Sequence, residues 1–494
     1  MKKLVLLLFC ILLAAGCKPD YTARIPDGFD AYCQKVMNEW QIPGMAVAVV
    51  KDGQTVFLKG YGKTALDERG VPVDETTQFV LASTSKAFTG ALLASVMDST
   101  PNLNWDDKVI DHLPDFKYYD DWATRNMMVK EVMAHHNGFK EYALDELPFF
   151  GYDRDGLYGL FAAIKPTYSF RSKYAYNNET YTIAAKLIEK YTGEAWEDAI
   201  EEKIFTPLGM IHSTTVNKSF YSAEKLAVPY NVENEDGKLV TKERTDRDFA
   251  FQWLTAVAPA AAVITKAEDI TAWLKMHLNH GVYDGKEVIS RKNHDYLFYP
   301  QTITVYDSTR LCNYAQGWTI EQNKYGRYIR HTGLAYGYTS IVALVPDLNL
   351  GIAVMTNNGE SSDPQSAIAR QLVDMYYGTK STDWSAQYLA DFMKVEPKKE
   401  KDSDVKEPPL ADAAYIGEYT HPHFGVSKVF QKGGGLFVKI NKLEAQLLHK
   451  SGNSFEIDVP GSGKFPIEFK TGAGNRVRAF NLDVGDPTDD FVRK

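Results

Sequence analysis

The chain has 494 residues, room for two to four ordinary domains or one large domain with an appendage. It is 44% apolar, 24% charged and 13% aromatic, which excludes a disordered or fibrous chain. Lys+Arg number 55 and Asp+Glu 64, a net charge of −9 with no basic cluster, so nucleic acid is not an expected partner. Four cysteines, none at C-x-x-C spacing, exclude a disulfide scaffold and argue against a structural zinc site.

Lys2 and Lys3 precede an apolar run from Leu4 to Ala15, then Gly16 and Cys17. This is the pattern of a secretory leader, and it is shorter than the roughly 20 residues that span a bilayer. Leu13-Ala14-Ala15-Gly16-Cys17 resembles the lipobox of bacterial lipoproteins, with Ala14 where Leu is usual. The resemblance implies removal of residues 1–16, lipidation of Cys17 as the first residue of the mature chain, and an exported protein anchored in the cell envelope, on the periplasmic side or outer surface. Cys33 and Cys312 are expected as free, buried thiols.

Phe29 to Trp40 has helical apolar spacing and stops at Ile42-Pro43-Gly44. Met45–Val50 and Thr55–Leu58 flank Asp52-Gly53, a hairpin signal. From Phe79 to Met97 the pattern predicts a helix with Phe88, Ala91, Leu92 and Val96 on one stripe. Residues from about 100 to 250 read as helix and loop, including an amphipathic helix from Tyr181 to Tyr191 closed by Gly193. A helix over Glu268–Leu278 follows, then strands at Tyr328–Arg330, Ser340–Val345 and Gly351–Thr356. Ten of the 15 residues in 394–408 are charged, so the segment cannot form a core and reads as a linker. Beyond it, short alternating runs at Tyr415–Tyr419, Leu436–Ile440, Phe455–Ile457 and Ile467–Phe469 predict a small all-β domain.

Three motifs carry chemistry. Ser83-Thr84-Ser85-Lys86 is an S-x-x-K motif. One helical turn sets its two end side chains side by side, so a desolvated lysine amine can deprotonate the serine hydroxyl. Two further S-x-x-K matches, Ser222–Lys225 and Ser403–Lys406, lack a preceding apolar run and a following long helix. Tyr176-Asn177-Asn178 offers a phenol and an amide just before the Tyr181 helix. His331-Thr332-Gly333 lies between β runs and suits an edge along which a substrate backbone lies. Among other candidates, His135-His136 reads as structural. His277-Leu278-Asn279-His280 has H-x-x-H spacing but no neighbouring acid, and reads as a helix end.

In that order and spacing the three motifs resemble the serine β-lactamase and penicillin-binding protein superfamily, and most closely its class C β-lactamase-related serine hydrolases. Supporting segments are Ile42-Pro43-Gly44, Met133-Ala134-His135-His136-Asn137-Gly138-Phe139, Pro207-Leu208-Gly209-Met210, Gly317-Trp318, and Pro346-Asp347 through Thr356-Asn357. The resemblance covers roughly residues 28–375. The last strands resemble, more loosely, a lipocalin-like domain appended to some of these hydrolases. The implied fold is α+β, a β-lactamase/transpeptidase-like antiparallel sheet flanked by helices with a helical subdomain, plus a small all-β C-terminal domain. The expected boundaries are a hydrolase domain over 18–385, a linker over 386–409 and a β barrel or sandwich over 410–494.

By resemblance Ser83 is the acylated nucleophile, Lys86 its proton shuttle and Tyr176 the general base. Asn178 orients Lys86 and the substrate amide. His331 takes the place of a lysine that contacts a substrate carboxylate or supports Tyr176. Thr332 and Gly333 form the substrate edge, and the backbone N–H groups of Ser83 and Leu334 the oxyanion hole. No metal or cofactor is implied. His331 in place of Lys lowers the expectation of efficient β-lactam hydrolysis, and the substrate classes left open are a D-amino-acid peptide or peptidoglycan-like fragment, a small ester, or a β-lactam hydrolysed weakly. The competing reading is a catalytically silent envelope protein that recognises peptide or glycan, and a third is surface anchoring without chemistry.

Overall fold

The computed structural model describes residues 24–222, 225–323, 325–379, 382–394, 410–459, 462–482 and 489–494. The leader, Cys17 and residues 395–409 of the charged stretch lie outside them. Among the described residues no helix is long and apolar enough to cross a membrane.

The first hairpin forms as expected: Gly44–Lys51 pairs with Gln54–Gly62. Its turn residues Asp52 and Gly53 both take positive φ, 52° and 75°, the two-residue turn that matches strand twist. The hairpin is one edge of an eight-stranded antiparallel sheet, ordered Thr302–Tyr306, Leu311–Tyr314, Thr319–Asn323, Gly326–Ala335, Tyr338–Val345, Leu350–Thr356, Gly44–Lys51, Gln54–Gly62. Strand periodicity divides the core in two. Met45, Val47, Val49, Ile352 and Val354 face Phe29, Val36, Ile368 and Leu372 of the terminal helices Phe29–Glu39 and Asp363–Tyr377. Ala46, Ala48, Ala353 and Met355 face the opposite layer, with Phe88 and Trp273.

The helix Trp384–Lys394 packs onto the same terminal layer. Trp40 Nε1 donates to Ser385 Oγ at 3.2 Å, and the Trp40 and Phe392 rings lie 5.4 Å apart. The boundary expected at 385 therefore falls inside a packed helix. Cys33 and Cys312 are free and buried.

The expected helix from Phe79 is shorter than its pattern. Gln78–Val80 is a strand paired with Val263–Lys266, Ala82–Thr84 is a 3₁₀ turn, and the helix runs Ser85–Asp98. A short apolar run does not distinguish strand from helix; here the distant partner decides. Nor is there a stripe: from Ser85 to Met97 every residue but Ser95 is buried, because the helix lies between the sheet and the helical subdomain. That subdomain holds a hairpin, Tyr230–Glu235 with Lys238–Glu243, which the helical reading of 100–250 did not foresee. The Tyr181–Thr192 helix forms and ends on Gly193 in the left-handed conformation.

The C-terminal strands form a nine-stranded antiparallel sheet coiled into a near-closed barrel. Its edge strands, Leu443–Gln446 and Leu448–Ser451, are consecutive in the chain. Buried residues alternate along the strands, as in Ser454–Val459 and Gly463–Thr471, around Tyr419, Ile457, Ile467 and Phe480. The barrel leans on the helical subdomain: Lys442 N–H donates to the Phe150 carbonyl at 3.2 Å, Phe465 meets Phe150 at 6.2 Å and Phe424 meets Tyr152 at 5.8 Å.

Candidate active site

Ser83 sits in a tightly constrained corner. Ala82 before it is buried at φ 48°, a left-handed conformation that costs an L-residue about 1–2 kcal/mol. The corner is held by its neighbours. Leu81 N–H donates to the Val263 carbonyl at 2.8 Å, Ser340 Oγ donates to the Leu81 carbonyl at 2.7 Å, and Thr84 Oγ1 meets Ser340 Oγ at 2.8 Å. Gly333 lets the strand Gly326–Ala335 lie directly on this corner, since a Cβ there would overlap the Leu81 carbonyl. Gly317 does the same one turn on, where a Cβ would overlap the backbone of Lys86. Two of the glycines in the sequence motifs are thus close-approach positions.

Lys86 is fully buried, and its Nζ has three neighbours: Ser83 Oγ at 3.2 Å, Asn178 Oδ1 at 2.6 Å and the Ala260 carbonyl at 3.2 Å. Burial brings its pKa down to about 7, against the opposing pull of Asp145 and Glu179. The orientation of the Asn178 amide is fixed from behind, because its NH₂ donates to both oxygens of Asp145 at 2.9 and 3.0 Å. Its oxygen must therefore face the lysine. A neutral amine spends its two hydrogens on Asn178 Oδ1 and Ala260 O, and its lone pair is left for the Ser83 hydroxyl. Behind Asn178, burial first and then the neighbouring Asp145 hold the Glu179 carboxyl well above the usual range.

Tyr176 completes the trio. Its ring lies 4.7 Å from Lys86 Nζ, and the Ser83 hydroxyl shares a hydrogen bond with its phenol. Burial pushes this phenol well above the usual value despite that bond. The Tyr176 ring rests on His135 at 4.4 Å, and His135 Nδ1 accepts the Asn177 N–H at 3.1 Å. His135 is thus the floor under Tyr176, whereas His136 Nδ1 faces away to Thr302 Oγ1 at 2.9 Å.

His331 is in the trio's cleft but occupied internally. Its Nδ1–H donates to the Thr332 carbonyl at 2.6 Å and its Nε2 accepts from the Tyr314 hydroxyl at 2.9 Å. Burial, then the Lys86 charge, brings its pKa down to about 3. It is neutral, and both ring nitrogens have partners inside the protein. The expected contact with a substrate carboxylate has no free N–H to make it. The expectation overlooked Tyr314, which arrives on a strand absent from the sequence reading.

Ser83, Tyr176, Asn178, His331, Thr332 and Leu334 line one cleft of about 660 Å³. Gly333 lies just beneath, buried against Leu81. Its walls are aromatic, with Tyr142, Phe149, Tyr174, Trp253 and Tyr336. Arg330 is the one Lys or Arg among the described lining residues, and it is paired with Glu321 at 3.0 Å. Glu146 lines the rim and is hydrogen-bonded by Ser462 of the C-terminal barrel, which thereby forms part of the cleft. The second S-x-x-K motif contributes nothing here: Lys225 donates to Thr76 Oγ1 at 2.6 Å on the surface. The third lies outside the described residues. Asp145, Glu179, Tyr314 and Ser462 escaped the sequence reading; of these only Glu179, next to the Y-x-N motif, had a local signal.

The model of the family described as Beta-lactamase matches residues 29–374. The chain belongs to the Beta-lactamase family. A second model, a domain of unknown function named DUF3471, matches residues 401–492. Among curated proteins this Beta-lactamase-family chain is 27% identical over 423 residues to "Unguisins hydrolase ungD'" of Aspergillus campestris, covering 80% of this chain and 76% of that one. It is 27% identical over 336 residues to "Protein flp" of Staphylococcus aureus, covering 66% of this chain and only 62% of that one. Among solved structures the octameric penicillin-binding protein homologue from Pyrococcus abyssi superposes with a TM-score of 0.60 at 19% identity, over 92% of this chain and 97% of that one. SurE with D-Leu superposes with a TM-score of 0.56 at 17% identity, over 95% and 99%. The Beta-lactamase-like α+β fold and the all-β appendage agree with the sequence expectation, and members of this fold family are serine hydrolases.

Proposed function

We propose that the protein is an acyl-enzyme serine hydrolase of amides or esters whose scissile carbonyl is not flanked by a free carboxylate, with internal bonds of D-residue-containing peptides as the leading class. The supporting observation is the Lys86 environment: two acceptors for an amine's hydrogens and a lone pair left for Ser83. Ser83 Oγ attacks the carbonyl carbon and its proton passes to Lys86 Nζ. Lys86 is favoured over Tyr176 as base because a general base works best with a pKa near the ambient pH, and burial moves the two groups in opposite directions. As the C–N or C–O bond breaks, the proton passes from Lys86 through the Tyr176 phenol to the leaving group. Water then cleaves the ester on Ser83 by the reverse route. The backbone N–H groups of Ser83 and Leu334 are the oxyanion donors, each worth about 10²–10³ in rate.

The preference against a free carboxylate follows from His331 and Arg330, both engaged internally. Peptide substrates fit the aromatic walls; one similar protein is named an unguisins hydrolase, and one solved structure of the same fold holds D-Leu. The test is covalent labelling with a fluorophosphonate, followed by a panel of nitrophenyl esters, a chromogenic cephalosporin and D-residue peptides with free and amidated ends. Labelling lost in Ser83→Ala, with amidated peptides and esters preferred, supports the reading. No labelling of folded protein would leave the silent binding protein. Export and lipid anchoring at Cys17 are proposed alongside, and fatty-acid labelling that survives Cys17→Ala would refute them.

A further inference from the structure

The H-x-x-H pair at the end of the helix Ala267–Leu278 lacks a neighbouring acid in sequence, but the fold brings one from another segment. His280 stands in the turn after the helix at φ 53°. The next residue, Gly281, has φ 91°, and a Cβ there would overlap the Ile289 carbonyl. The turn brings the His280 ring against the short helix Arg291–Tyr296. His280 Nδ1 lies 3.0 Å from Asp295 Oδ1, and His294 Nδ1 lies 3.3 Å from the same oxygen. The three ligand atoms all fall within 4.8 Å of one another. Bonds of about 2.0–2.2 Å in tetrahedral geometry separate neighbouring donors by about 3.4 Å, so small side-chain rotations close the set around one ion.

The middle ligand is preorganised. His294 is buried, and its other nitrogen, Nε2, lies 3.1 Å from His277 Nδ1. His277 is itself wedged edge-on against Trp273 at 4.2 Å and Trp318 at 5.2 Å. An imidazole whose far nitrogen is held by an inner partner, so that its near nitrogen points at a carboxylate, is the usual arrangement of a metal-binding histidine. Arg291 takes the other carboxylate oxygen, Oδ2, at 3.6 Å and leaves Oδ1 to the imidazoles.

We propose that His280, His294 and Asp295 form a binding site for one borderline divalent cation of the zinc class, with water completing the coordination. Two imidazoles and one carboxylate suit zinc, cobalt or nickel better than magnesium or calcium. The site lies outside the catalytic cleft and its role is structural. It ties the turn after Ala267–Leu278 to a helix region whose Ser290 N–H and Asn293 NH₂ hold Asp98, at the end of the Ser85 helix, at 2.6 and 2.7 Å. The sequence reading of His277-Leu278-Asn279-His280 as a helix end rested on the missing neighbouring acid, and Asp295 supplies one from another segment.

The test is calorimetric titration of the chelator-treated full chain with ZnCl₂, with Co²⁺ absorption as a second readout of the ligand set. The expected result is one cation per chain. His280→Ala and Asp295→Asn should each weaken binding by more than the roughly 10–100-fold that losing an outer partner costs. Both side chains are half exposed, so the variants should keep the wild-type unfolding temperature without zinc and lose the zinc-induced rise. Absence of one-equivalent binding, or wild-type affinity in both variants, overturns the proposal.

Discussion

Asn178 presents its amide oxygen, not its nitrogen, to Lys86, at 2.6 Å. It does so because Asp145 takes the NH₂ group with both carboxylate oxygens. Removing that anchor lets the amide turn over and point N–H donors at the amine, which would then have to aim its lone pair at Asn178 rather than at Ser83. Asp145→Ala should therefore lower kcat by about 10–10² while KM changes little, since the lost step is a proton transfer worth about 10²–10⁴ in all. Asn178→Ala should do the same or worse. An unchanged kcat with raised KM in Asp145→Ala would show that Asp145 acts on substrate binding alone.

Lys86 sets the pH response. Its pKa in the fold is about 7, lowered first by burial, so the acylation rate should climb as pH rises through about 7 and then level off. Stability is linked to the same shift. Between about 7 and the ordinary lysine value the unfolded chain holds a proton on Lys86 that the folded chain does not, so unfolding free energy gains a positive slope with pH there. Lys86→Met removes that slope. Denaturation of both proteins across this window should find wild type gaining on the variant as pH rises, and parallel curves would refute the neutral amine. Activity of the variant should fall by at least about 10².

The fold-forming signals legible in the sequence were local ones. Asp52-Gly53 fixed its hairpin, Gly193 its helix end, and the spacing of Ser83 and Lys86 put both groups on one turn. What escaped depends on partners far along the chain. Gln78–Val80 becomes a strand because Val263–Lys266 lies beside it. Tyr314 reaches His331 from a strand of only four residues, Leu311–Tyr314, too short to announce itself. Asp145 sits in a loop with no motif and shows its part only once the fold sets it against Asn178. Asp295 completes a ligand set that begins fifteen residues earlier.

His331 offers a direct test of substrate class. Both its nitrogens are engaged and burial keeps it uncharged. His331→Lys should place an ammonium near the cleft that Tyr314 cannot neutralise. The ratio of kcat/KM for a carboxylate-bearing substrate to that for its amidated analogue should then rise by about tenfold, the order of one good charge-assisted contact. A ratio that stays put would mean that substrate carboxylates are read elsewhere, with Arg330 as the next candidate.

Ser462 carries the last prediction, because it brings the C-terminal barrel into the catalytic cleft. It hydrogen-bonds Glu146, whose carboxyl burial pushes above the usual range, and both residues line the cavity that holds Ser83. The barrel is therefore a wall at the rim, held by Lys442 on Phe150 and by the Phe465 and Phe424 contacts. Enlarging the wall with Ser462→Trp should raise KM for long peptides by about tenfold or more while leaving a small nitrophenyl ester untouched, since a short acyl group never reaches the rim. Ser462→Ala should leave both substrates within a few-fold of wild type, because one rim hydrogen bond is worth about 0.5–1.5 kcal/mol. Equal losses on long and short substrates in Ser462→Trp would mean that the substitution disturbs the Ser83 corner itself, and the barrel would then have no part in selecting what enters.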